Sequence, residues 1–88
     1  MRKFVVKKNY RMSYKKQGYI FFACQNYAAM SARMKKKIDR LCEEIGKDDS
    51  KALFEAMTGD RSVERIATRH FVNRHKLYKM IHEFYRKW

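Results

Sequence analysis

Proline is absent from all 88 residues, and glycine occurs only three times. A β-sandwich or barrel must turn back on itself every ten residues or so, and a chain this short of breakers cannot do that, so helices are the expected element. The apolar spacing agrees. Ile20, Ala23, Tyr27, Met30, Met34, Ile38, Leu41 and Ile45 recur three and four apart, on one helical face. The stripe is long for one helix in a small domain. Ser31 is placed to cap a second helix, which divides the stripe into about 14–29 and 31–46, and Gly46 supplies a left-handed stop. The same stripe would serve as a coiled-coil dimer seam, but bulky Tyr and flexible Met stand where such seams carry regular Leu or Ile.

Later segments read the same way. Asp48-Asp49-Ser50 offers caps for a helix with Leu53, Phe54 and Met57 inward, closed by Gly59. Ser62 caps a helix carrying Val63, Ile66 and Ala67. Asn73 starts the last helix, which runs to Trp88 with Leu77, Ile81, Phe84 and Trp88 at spacings of four, three and four. Residues 1–13 read as a flexible basic arm, with a short strand at Phe4-Val5-Val6 and a hairpin turning at Lys16-Gln17-Gly18 as the alternative. The expected fold is all-α: a small helical bundle of about five helices forming one domain over 14–88, preceded by the arm.

Charge narrows the function. Lys and Arg number 22 against nine Asp and Glu, a net charge of +13. Residues 1–18 carry seven bases and no acid, and residues 61–88 carry eight bases and two acids. The segments between them are close to neutral as counted. Such a surface repels itself and calls for a polyanionic partner. The longest strongly apolar run, Tyr19 to Cys24, is far below the roughly 20 residues of a membrane span, and no secretory signal pattern follows the amino terminus. A cytoplasmic protein without a membrane partner is expected, nucleoid-associated if it binds DNA. Cys24 and Cys42 then read as reduced, small core residues.

The carboxyl third holds the most specific pattern. Ile66-Ala67, three residues, Phe71, Val72, Asn73, Arg74, two residues, Leu77-Tyr78 resembles the helix-turn-helix of transposases, resolvases and the promoter-reading carboxyl-terminal domain of sigma factors. That motif runs roughly Ile-Ala, three residues, Gly, Val, Ser, Arg, two residues, Leu-Tyr. The wider chain, through Gly18-Tyr19-Ile20-Phe21-Phe22 and Ile38-Asp39-Arg40-Leu41-Cys42, is similar to small helical phage or mobile-element proteins of Gram-positive bacteria. The resemblance implies a helix-turn-helix over about 62–88 that binds double-stranded DNA and controls transcription or recombination. Phe71 departs from it by standing where the motif most often has Gly. A bulky residue at positive φ is strained, so a longer or differently shaped turn is expected.

On this reading Arg74, His75, Lys76, Tyr78 and Lys79 reach bases or phosphates. Arg61, Arg65 and Arg69 brace the DNA backbone from the preceding helix, and Arg2, Lys3, Lys7, Lys8 and Arg11 of the arm track a minor groove or a phosphate run. Arg86 stands too far along the helix. RNA remains open, since charge does not tell it from DNA. The rival is a basic protein that binds a host protein–nucleic acid machine, a nuclease or RNA polymerase, through its surplus of aromatic side chains. His70 and His75 fall at a zinc-finger spacing, but the cysteine half of such a site is missing. No nucleophile, phosphate-cradling loop or carboxylate pair emerges, so a non-enzymatic protein without metal or cofactor is expected.

Overall fold

Side-chain caps decide where four of the five helices begin. The computed structural model describes residues 4–88, the side chain of Asn9 excepted. Among these residues it contains α1 (Tyr14–Gln25), α2 (Ala32–Gly46), α3 (Ser50–Thr58), α4 (Val63–Arg69) and α5 (Arg74–Lys87). Single 3-10 turns lie at Lys8–Tyr10, Tyr27–Ala29 and Lys47–Asp49. The hydroxyls of Ser13, Ser31 and Ser62 accept from the backbone N–H of Lys16, Met34 and Arg65, and the Asn73 side chain accepts from both His75 and Lys76. Each cap satisfies donors that a helix start leaves open. The predicted caps at Ser31, Ser62 and Asn73 are therefore formed, and the fold is the expected all-α bundle.

The α2–α3 junction differs from expectation. Gly46 stays right-handed at φ −78°, and Lys47 takes the positive φ of 51° instead. What Gly46 supplies is closeness, because a β-carbon there would stand 3.5 Å from the β-carbons of both Leu53 and Ser50. The turn at Lys47–Asp49 then feeds straight into α3, with Ser50 already helical, and Asp49 makes no capping hydrogen bond. Gly59 does close α3, in extended backbone. A β-carbon there would lie 2.7 Å from the Glu55 carbonyl oxygen, so the site accepts no side chain without a shift.

Most of the long apolar stripe is consumed within one chain. Ile20 and Cys24 of α1, Ile38, Leu41 and Cys42 of α2, Leu53 and Met57 of α3, Ile66 and Ala67 of α4, and Leu77, Ile81 and Phe84 of α5 share a single core. Tyr27, Met34 and Ile45 pack on its edge, partly exposed. Both cysteines are free thiols, and burial pushes each up to about 12.

Residues 4–13 lie against the helices. No strand or hairpin forms among the described residues, because Lys16, Gln17 and Gly18 lie inside α1, where a turn had been considered. Gln17 is the buried polar residue of this region. Its amide accepts from the Lys7 N–H at 2.8 Å and donates to the carbonyls of Lys7 (3.0 Å) and Met12 (3.1 Å). Phe4 sits over Gly18 among Tyr14, Phe21 and Phe22, and Tyr10 stacks on His82 with ring centroids 4.4 Å apart. No described helix is long and apolar enough to cross a membrane.

Candidate nucleic-acid interface

Small and apolar residues set α4 against α5. Ala67 is buried beside Ile66, Leu77 and Ile81, so the two helices cross closely, and Val72 packs partly buried on the same core. The four residues between the helices make an economical turn. The Val72 N–H donates to the Ala67 carbonyl at 2.9 Å and the Phe71 N–H to the Thr68 carbonyl at 3.3 Å. This is the pair of bonds that closes a helix through a left-handed residue. That residue is Phe71, at φ 57°. The expected lengthening of the turn does not occur. Phe71 takes the conformation glycine would have taken.

Burial of Leu77, Met80, Ile81, Phe84 and Tyr85 leaves the opposite face of α5 outward. His75, Lys79, His82 and Arg86, spaced four, three and four, run along it. The side chains of Arg74, His75 and Lys79 have no partner among the described residues. Arg86 is held by Glu83 at 2.8 Å. From Arg65 to His82 the chain has five Lys or Arg, all three histidines and no acid.

The remaining predicted residues divide into two groups. Lys7 joins Tyr10, Tyr78, Lys79 and His82 around one shallow groove of about 320 Å³, so the first and last segments of the chain contribute cations to the same surface. Arg65 is exposed on α4, and Lys8 and Arg11 are exposed beside the Lys8–Tyr10 turn. The others meet acids of the protein itself. Lys76 holds Asp49 at 2.8 Å, a contact that raises its pKa above the ordinary lysine value, and the Tyr78 hydroxyl donates to Glu64 at 3.0 Å. Arg69 (3.1 Å), Arg61 (4.0 Å) and His70 (2.8 Å) converge on Glu55. The hydrogen bond from His70, then the Arg69 and Arg61 charges, hold that carboxyl below its usual range against the opposing effect of desolvation. Arg2 and Lys3 lie outside the described residues.

A second basic surface escaped the segment count. Arg33, Lys36, Lys37 and Arg40 of α2 line a broad groove with Lys87 and Trp88, and the Lys37 ammonium lies 4.3 Å from the Trp88 ring centre. Averaging α2 over its whole length hid this, because all five of its bases precede Glu43 and Glu44, with Asp39 as the one acid among them. Reading the charge turn by turn would have found it.

No protein-family model, curated protein or solved structure matches this chain.

Proposed function

We propose that the protein binds double-stranded DNA sequence-specifically through α4 and α5, as a regulator of transcription or recombination in a phage or mobile element. The observation that carries this reading is the acid-free leading half of α5, with Arg74, His75 and Lys79 outward and without a partner among the described residues, mounted on α4 by a tight four-residue turn. A helix is about 10–12 Å across and the major groove about 12 Å wide, so α5 fits with its amino-terminal turns deepest. Arg74 offers a two-bond fork to guanine O6 and N7, and His75 reaches the neighbouring base edge. Lys79, Lys7 and Arg65 meet phosphates, which position the protein without reading sequence. Lys76, Arg61 and Arg69 exchange their carboxylate partners for phosphates on docking.

Selection of bound duplexes from a random-sequence pool at about 150 mM salt tests the reading, since loose electrostatic binding is screened there. A recovered motif supports it, and retention without a motif leaves only an architectural binder. Arg74→Ala with Lys79→Ala then weakens the selected duplex at least tenfold, and a slope against log salt shallower by about 0.9 for each lost phosphate contact accompanies the change. Unchanged affinity removes α5 from the mechanism.

One observation favours a protein partner instead. Val5, Tyr14, Tyr19 and Phe22 are exposed apolar side chains on the α1 side of the molecule. Failure to retain any duplex moves the assignment there, to a host nuclease or RNA polymerase.

A further inference from the structure

We propose that Phe71 is a base-contacting residue that packs its ring on a thymine 5-methyl group in the major groove. The proposal rests on the DNA-binding reading and adds a specificity determinant to it. Two independent observations single this side chain out. It is 96% exposed, the most exposed of the large apolar residues among those described, so the fold gains nothing from burying it. It also occupies left-handed backbone at φ 57°, which disfavours a residue with a β-carbon and suits glycine or asparagine. The turn's hydrogen bonds are all made by backbone atoms, so glycine would close α4 equally well. A strained backbone and an uncovered ring both work against the free protein, and a partner that covers the ring makes use of them.

The neighbours define that partner. Arg69 and His70 precede Phe71, and Arg74 and His75 follow it, with no acid in the sequence between Arg65 and His82. In the free protein Arg69 and His70 share the Glu55 carboxylate, whereas Arg74 has no partner among the described residues. What covers the ring meets one open cation in Arg74 and a second, Arg69, that a phosphate can draw from Glu55, which favours a polyanion over an ordinary protein surface. Phe71 stands three residues before the first residue of α5, at the end of that helix which leads into the groove. Apolar chemistry is scarce there. Among the groups that base pairs present in the major groove, the thymine methyl is the apolar one, and a phenyl ring is a suitable contact for it. The expected consequence is a thymine preference at the edge of the site, beside the base pairs read by Arg74 and His75.

Phe71→Gly separates this role from a structural one, because stability and binding should move in opposite directions. Its melting temperature should rise by several degrees as the left-handed strain is relieved, while affinity for the selected duplex falls about tenfold. Phe71→Asn, which also tolerates this backbone, should behave alike. Replacing the thymines of that duplex by uracil removes only methyl groups. Wild type should then lose about threefold to fourfold in affinity, as for one methyl withdrawn from contact, and Phe71→Gly should be indifferent. Equal sensitivity of the two proteins to uracil, or none in either, overturns the thymine contact. So does a Phe71→Gly protein that binds as tightly as wild type. A wild type that binds no duplex overturns both this inference and the reading beneath it, whereas a wild type that binds with α5 required but Phe71 dispensable overturns this one alone.

Discussion

Gln17 shows how one side chain can do the work of a missing strand partner. Residues 7–12 have little regular hydrogen bonding of their own, yet the Lys7 N–H and the carbonyls of Lys7 and Met12 all meet the Gln17 amide. A buried amide with its bonds made is stable, and one whose partners are stranded is not. Gln17→Leu takes this partner from the Lys7 N–H and the Met12 carbonyl, while the Lys7 carbonyl keeps the Tyr10 N–H at 3.2 Å, and should cost about 1–3 kcal/mol. Amide exchange reads this directly: the Lys7 N–H should lose its protection while amides in the middle of α2 keep theirs. The effect should extend to function, because Lys7 shares a groove with Lys79. Phe71 is the opposite case at the same scale, a residue that contributes nothing to packing and is strained where it stands.

Among the elements, α3 and α4 are tied by Glu55. Its carboxylate gathers Arg61, Arg69 and His70, and its pKa is held below the ordinary glutamate value chiefly by the His70 hydrogen bond. A carboxyl with a depressed folded pKa stabilises the protein fully above its unfolded value and loses that contribution as pH falls through the folded one. Acid titration of thermal stability should therefore show a decline beginning near pH 4.5 and continuing below it. Glu55→Gln should flatten that part of the profile, at a cost near neutral pH of about 1 kcal/mol or less, as for a largely solvated ion-pair group. The same variant releases Arg69 from its carboxylate. It should raise affinity for DNA of any sequence more than affinity for the selected site, and an unchanged ratio of the two would sever Glu55 from binding.

For the whole molecule, the question is whether charge acts as a total or as a pattern. Basic surfaces lie at both ends of α5: Arg74, Lys79 and Lys7 toward its start, and Arg33, Lys36, Lys37 and Arg40 of α2 beside Lys87 at its finish. At 1.5 Å per residue the helix spans about 20 Å, more than twice the roughly 8 Å screening length at 150 mM salt. Arg74→Glu with Lys79→Glu and Lys36→Glu with Arg40→Glu change net charge by the same amount. The α5 pair should weaken duplex binding by more than fiftyfold and the α2 pair by less than fivefold. Equal losses would mean that the protein responds only to the sum.

What was legible from sequence alone follows from locality. Caps act within three residues and apolar faces within one turn, so Ser31, Ser62, Asn73, the five helices and the buried stripes could be read from spacing. The α4–turn–α5 pairing was legible for the same reason, since its parts are contiguous. Other features depend on residues distant in the chain. Lys7 beside Lys79, Asp49 taken by Lys76, and Glu55 shared by Arg61 and Arg69 all join separate segments. No periodicity records such pairs. Packing also decided the conformations that local rules misjudged. Gly46 is needed for its missing side chain against Leu53 and Ser50, and Phe71 holds the left-handed position after α4, at the place where the motif has glycine, with the turn kept at four residues. Sequence determined the elements and their charge; the tertiary structure decided which charges remain free, because an ion pair forms only where the chain brings its partner within reach.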